Sequence, residues 1–95
     1  MIDLEDKYVE FIKNTVYSVL PDVEIFIYGS RVQGKARKYS DVDIALKGDI
    51  PFNDLLKIRG IFENSAFPYK VDIVDLDSLK PDFFRIIEKD LYKIN

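Results

Sequence analysis

The chain has 95 residues and carries 14 Lys and Arg against 17 Asp and Glu, a net charge of −3, with no cysteine and no histidine. Disulfides, thiolate metal sites and a histidine general base are thereby excluded, so any catalysis must rest on carboxylates, Lys, Arg, Tyr, Ser or a bound metal. The length predicts one domain over residues 1–95 with a modest core, and the acidic balance argues against duplex nucleic acid as the main partner.

The N-terminus, Met1-Ile2-Asp3-Leu4-Glu5-Asp6, is acidic where a signal peptide would be basic. No apolar run approaches the roughly 18 residues of a membrane span, so the expected location is cytoplasmic with no membrane partner. From Leu4 to Leu20 the apolar positions Leu4, Tyr8, Phe11, Ile12, Val16, Val19 and Leu20 step by threes and fours, which predicts an amphipathic helix with Asp3 as its N-cap. Pro21-Asp22 ends it, and Val23 to Tyr28 reads as a first strand buried on both faces.

Gly29-Ser30 follows that strand, where a tight turn can bring backbone N–H groups close to an anion. No acid occurs between Glu24 and Asp41, while Arg31, Lys35, Arg37 and Lys38 fall within that gap, a basic island suited to a polyphosphate. Ser40 to Leu46 predicts a second strand. Its period-two alternation puts Asp41 and Asp43 on one face and Val42, Ile44 and Leu46 on the other. Paired hard oxygen donors on a rigid element suit Mg²⁺ or Mn²⁺, which takes one or two carboxylates plus substrate phosphates.

Lys47 to Pro51 reads as a loop, and a helix capped by Asn53 is expected through about Asn64. A third strand over Tyr69 to Leu76 contains Asp72, flanked by Val71 and Ile73 as Asp43 is by Val42 and Ile44. Asp77-Ser78 and Pro81 mark the start of a last helix carrying Leu79, Phe83, Phe84, Ile86, Ile87 and Leu91. The order predicts an α/β (α+β) fold, a small mixed three-stranded sheet with flanking helices. A lone acid in a strand is usually an exposed edge residue paired with a lysine. Three of them are harder to explain, because carboxylates ~6 Å apart at an effective dielectric near 20 repel by about 3 kcal/mol per pair unless a cation intervenes. Asp75 and Asp77 read as structural strand-end and cap residues, Ser40 as a local hydrogen-bonding residue, and Tyr39 as the one tyrosine beside the site.

Gly29-Ser30, ten residues, then Asp41-Val42-Asp43 resembles the Gly-Ser-x10-Asp-x-Asp signature of the DNA polymerase β-like nucleotidyltransferase superfamily. The small size, Gly-Ser-Arg and Ser40-Asp41-Val42-Asp43-Ile44 are similar to its minimal nucleotidyltransferase (MNT) branch, and Val71-Asp72-Ile73-Val74-Asp75-Leu76 resembles the third-carboxylate strand. The resemblance implies transfer of a nucleoside monophosphate from a triphosphate to a hydroxyl. By it, Gly29 and Ser30 hold the phosphates, with Arg31 neutralising the pyrophosphate or remaining a solvated loop charge. Asp41 and Asp43 bind one or two Mg²⁺ ions, or Mn²⁺, and Asp72 completes the second metal site and activates the attacking hydroxyl. The MNT branch further implies an antitoxin that transfers AMP from ATP to a tyrosine of a HEPN ribonuclease toxin encoded beside it. The alternatives are an antitoxin acting by contact alone, and a catalytic subunit whose separate partner presents a small molecule.

Overall fold

A computed structural model describes residues 2–95. Four helices, α1 (Asp6–Tyr17), α2 (Ser30–Gln33), α3 (Phe52–Glu63) and α4 (Pro81–Ile87), accompany four strands, β1 (Glu24–Tyr28), β2 (Val42–Lys47), β3 (Val71–Asp75) and β4 (Tyr92–Lys93). The sheet order is β3-β2-β1-β4, with β2 and β3 parallel and the other two pairings antiparallel. The mixed sheet with flanking helices is as expected, but it has four strands rather than three.

The fourth strand, Tyr92–Lys93, lies just past the last predicted helix, in residues for which the sequence pattern predicts no element. That helix stops at Ile87, a 3-10 turn at Glu88–Asp90 reverses the chain, and Leu91 packs beneath the sheet instead of completing a helical stripe. The Asn95 side chain then imitates one more strand residue. Its amide donates to Val23 O and its carbonyl oxygen accepts from Ile25 N, each at 2.9 Å.

Other boundaries shift for physical reasons. Helix α1 begins at Asp6 after Glu5, not at the residue after Asp3, because the Asp3 backbone is held by Arg31 and runs outside the helix. Pro51, with extended ψ of 137°, occupies the cap position ahead of α3, so Asn53 lies exposed in its first turn. Pro81 opens α4, since its missing N–H is one the first turn cannot use, but Asp77 and Ser78 belong to a separate 3-10 turn and Leu79 is extended (ψ 147°), so the helix starts later than expected.

Period two sorts the strands onto two cores. Ile25, Ile27, Val42, Ile44, Leu46 and Ile73 face α1 and α3 and pack with Ile12, Val16, Leu55, Ile58 and Phe62. The opposite face is covered only in part: Tyr28, Ala45, Leu76 and Ile87 form a small buried group with Phe26, Val74, Leu79, Phe84 and Leu91 around it. Strand β3 lies at the edge, where Arg59 of α3 donates to Ile73 O at 2.7 Å and blunts the free ladder. Replacing Asn95 by Ala should cost about 1–2 kcal/mol from two lost hydrogen bonds. Hydrogen exchange should then quicken at the Ile25 amide while Ile44 and Ile73 stay protected; equal loosening of all three would contradict a local role for Asn95.

Candidate active site

The residues on the part-covered face form rows across the sheet. Phe26, Ala45 and Val74 are register partners in one row, and Tyr28, Asp43 and Asp72 are partners in the next row but one along the strands, on the same face. Helix α4 and the 3-10 turn at Leu76–Ser78 lie over the apolar row. The acidic row stands past the edge of that cover, half-buried at Asp43 and exposed at Asp72. Asp41 is exposed one residue before β2 begins, so it enters from the loop rather than from within the strand as expected.

The electrostatics mark these side chains as one group. Asp43 is pushed up from 3.8 to about 6, first by burial, then by the negative charges of Asp72 and Asp41. Tyr28, buried beside Asp43, rises to about 12 from burial and the charges of Asp43 and Asp72. Sequence reasoning passed over Tyr28; its place two residues beyond Phe26, ending the strand before Gly29, is the signal that would have found it. A phenol with so high a pKa stays neutral and gives the acidic row an uncharged, polar neighbour.

Gly29 closes the site from the β1 side. Its φ of 79° and ψ of −148° lie in a region open essentially to glycine, and a Cβ there would run into Asp43 Oδ2. The bare α-carbon therefore sits directly against the carboxylate. Ser30 and Arg31 start the one-turn α2, whose first amides the helix itself does not use.

Arg31 departs from the expected phosphate contact. It is 5% exposed, donates from Nη1 to Asp3 O at 2.8 Å and from Nη2 to Ser40 O at 2.7 Å, and lies 4.1 Å from the Tyr69 ring centre. The rest of the basic island is different. Lys35, Arg37 and Lys38 are exposed, and none forms an ion pair among the described residues. Ser40 plays the local part expected, its Oγ accepting from Arg37 N at 2.8 Å. Asp75, expected to end its strand, also caps the 3-10 turn, accepting from Asp77 N and Ser78 Oγ, whereas Asp77, expected as the helix cap, sits inside that turn and Lys80 holds the cap position of α4. Tyr39 is 77% exposed, with Lys38 against its ring.

A cavity of about 320 Å³ lies elsewhere, between Ile50, Phe52, Leu55, Val74 and Leu79. The acidic row is by contrast an open surface, half-buried at Asp43 and exposed at Asp41 and Asp72. Among the described residues no three acidic side chains by themselves close around an ion. The donor set still fits Mg²⁺ or Mn²⁺: all oxygen, mutually repelling, and open on the side where the phosphates of a nucleotide and water would complete the coordination.

A family profile described as "Polymerase beta, Nucleotidyltransferase" matches residues 10–94. A curated relative from Haemophilus influenzae named "Probable protein adenylyltransferase MntA" is 33% identical over 90 residues, covering 93% of this chain and 79% of that protein. The same fold occurs in a solved toxin–antitoxin structure with AMP-PNP, at TM-score 0.67 and 23% identity, over 87% of this chain and 72% of the other. It occurs again in a tri-AMPylated Shewanella oneidensis HEPN toxin in complex with MNT antitoxin, at TM-score 0.60 and 20% identity over 92% and 71%.

Two outcomes follow from this geometry. Between pH 3.8 and about 6 the folded state keeps a proton on Asp43 that the unfolded chain has released. This group's contribution to stability is therefore full below 3.8 and lost as pH rises through 6. In chelator, melting temperature should fall across that window, and Asp43→Asn should flatten the fall and melt higher at pH 7; lower melting at pH 7 would make Asp43 a structural partner instead. Gly29→Ala should cost about 1–3 kcal/mol in backbone strain and displace Asp43. Unchanged stability by denaturant titration would contradict the close approach.

Proposed function

The chain belongs to the polymerase beta nucleotidyltransferase family, and from that premise we propose that it is a divalent-metal-dependent adenylyltransferase. It moves AMP from ATP to a tyrosine hydroxyl of a HEPN-type ribonuclease and so acts as the antitoxin of that partner. The observation that carries the reading is the juxtaposition of Asp43 with Asp72 in register and with the bare Gly29 backbone, two residues from Asp41.

Each residue has a part that its position supports. The Gly29-Ser30 turn binds the triphosphate tail through backbone amides and the serine hydroxyl. Asp41, Asp43 and Asp72 would hold Mg²⁺ or Mn²⁺, two ions in the full complement, which neutralise phosphate charge and acidify the attacking hydroxyl. The tyrosine oxygen of the partner attacks the α-phosphorus and forms a new P–O bond as the α–β bridging bond breaks. Pyrophosphate leaves with those electrons, and Asp72, the exposed member of the row, takes the hydroxyl proton. Lys35, Arg37 and Lys38 raise the local concentration of the nucleotide. Phosphoryl-type transfer needs chiefly alignment and charge neutralisation, which this small surface can supply without histidine.

The relatives lend the substrate and partner. The Haemophilus influenzae protein is named for adenylyl transfer to protein, and the Shewanella oneidensis complex pairs an MNT antitoxin with an AMPylated HEPN toxin. An antitoxin acting by contact alone would not need mutually repelling carboxylates, one of them driven to a pKa of about 6.

Incubated with Mg²⁺, α-labelled ATP and the HEPN-type protein encoded beside it, the chain should label a tyrosine of that protein. Asp43→Asn should lower the rate by about three orders of magnitude, the scale attached to loss of one electrostatic element in phosphoryl transfer. An Asp41→Ala/Asp43→Ala variant that neutralises the toxin fully would transfer the case to binding alone.

A further inference from the structure

Among the described residues Arg31 is the most buried charge, and its surroundings are unusual. No carboxylate lies within ion-pair distance among the described residues, and its Nε has no hydrogen-bond partner. Burying an unpaired guanidinium is expensive. What it holds instead is main chain from separate parts of the sequence.

Nη1 grips Asp3 O, while Asp3 N donates back to Arg31 O at 2.7 Å, so the N-terminal segment and α2 are doubly stitched. Nη2 grips Ser40 O, the carbonyl immediately before Asp41. The guanidinium plane lies on Tyr69, two residues before β3 and three before Asp72, and Tyr69 is in turn wedged edge-on against Tyr8 and Phe67 at 5.5 and 5.9 Å. At that same end Val42 N donates to Lys70 O at 2.9 Å, the bond that starts the β2–β3 ladder. One side chain thus touches the Gly-Ser turn's own helix, the entrance to Asp41 and the approach to Asp72.

We infer that Arg31 is a positioning residue that fixes the spacing between the Gly29-Ser30 turn and the Asp41–Asp43 and Asp72 strands, and that it makes no contact with phosphate. At 5% exposure, with a carbonyl on each terminal nitrogen and the Tyr69 ring against it, it offers almost no surface to a ligand. Lysine cannot replace it, because a compact ammonium does not span two divergent carbonyls while stacking on a ring. The consequence for activity rests on the nucleotidyl-transfer reading; the consequence for backbone order does not.

Arg31→Lys and Arg31→Gln should be compared with the wild type in steady-state transfer from ATP to the HEPN-type protein and in amide hydrogen exchange. In Arg31→Lys, kcat should fall at least tenfold while KM for ATP changes less than threefold, and exchange at the Ser40, Val42 and Val71 amides should quicken at least tenfold. In Arg31→Ala, millimolar methylguanidinium should restore part of the lost kcat. A tenfold rise in KM with kcat retained would show a direct phosphate contact and overturn the inference. So would a loss of activity that only tracks the unfolded fraction, or exchange changes confined to residues 2–6. If wild-type chain transfers nothing, the functional reading fails, and the exchange result alone decides whether Arg31 positions these strands.

Discussion

Mutual repulsion between carboxylates on one sheet face is the constraint around which this small protein is arranged. Asp43 and Asp72 are register partners on neighbouring parallel strands, Asp41 stands two residues away, and burial deepens the conflict at Asp43. A row of this kind weakens the bare fold and persists where something positive is to be bound. The rest of the structure either offsets that cost or leaves the row open to solvent.

Packing meets the cost on the far face. Ile44 and Ile73, the chain neighbours of Asp43 and Asp72, are fully buried against α1 and α3, so the strands cannot rotate their acids away without emptying the main core. Exposure comes from the near face, where the covering helix is only seven residues long and ends at Ile87. It shields the apolar row of Phe26, Ala45 and Val74, and Tyr28 beside Ile87, but leaves Asp43 half-buried and Asp72 exposed. A longer α4, as the pattern of Ile86, Ile87 and Leu91 suggested, would extend its cover towards the site. The turn at Glu88–Asp90 and the two-residue β4 instead carry the chain back to the free edge of β1.

Much of this could be read from the residues. Period two in Asp41 to Leu46 and around Asp72 predicted acids opposite a β-branched core face, and the Gly-Ser spacing pointed to the site they share. What could not be read depended on distant contacts. A two-residue strand has no periodicity to detect, and Tyr92-Lys93 becomes one only because β1 presents an open edge and Asn95 completes the bonding. Arg31 looked like a phosphate ligand because its neighbours in sequence are basic and exposed. The carbonyls of Asp3 and Ser40 and the ring of Tyr69 that claim it lie 28, 9 and 38 positions away. The start of α1 was misplaced through the same contact, since Asp3 could not cap a helix while its backbone was bound to Arg31.

The decisive measurement is paramagnetic broadening of backbone amide signals by Mn²⁺ added with a non-hydrolysable ATP analogue to the isotope-labelled chain. Broadening should centre on Asp41 to Asp43 and Asp72, extend across Gly29 and Ser30, and leave Asp75, Asp77 and the N-terminal acids sharp. Broadening centred on those other acids, or on Asp41 without Asp72, would contradict a shared cation site facing the glycine–serine turn.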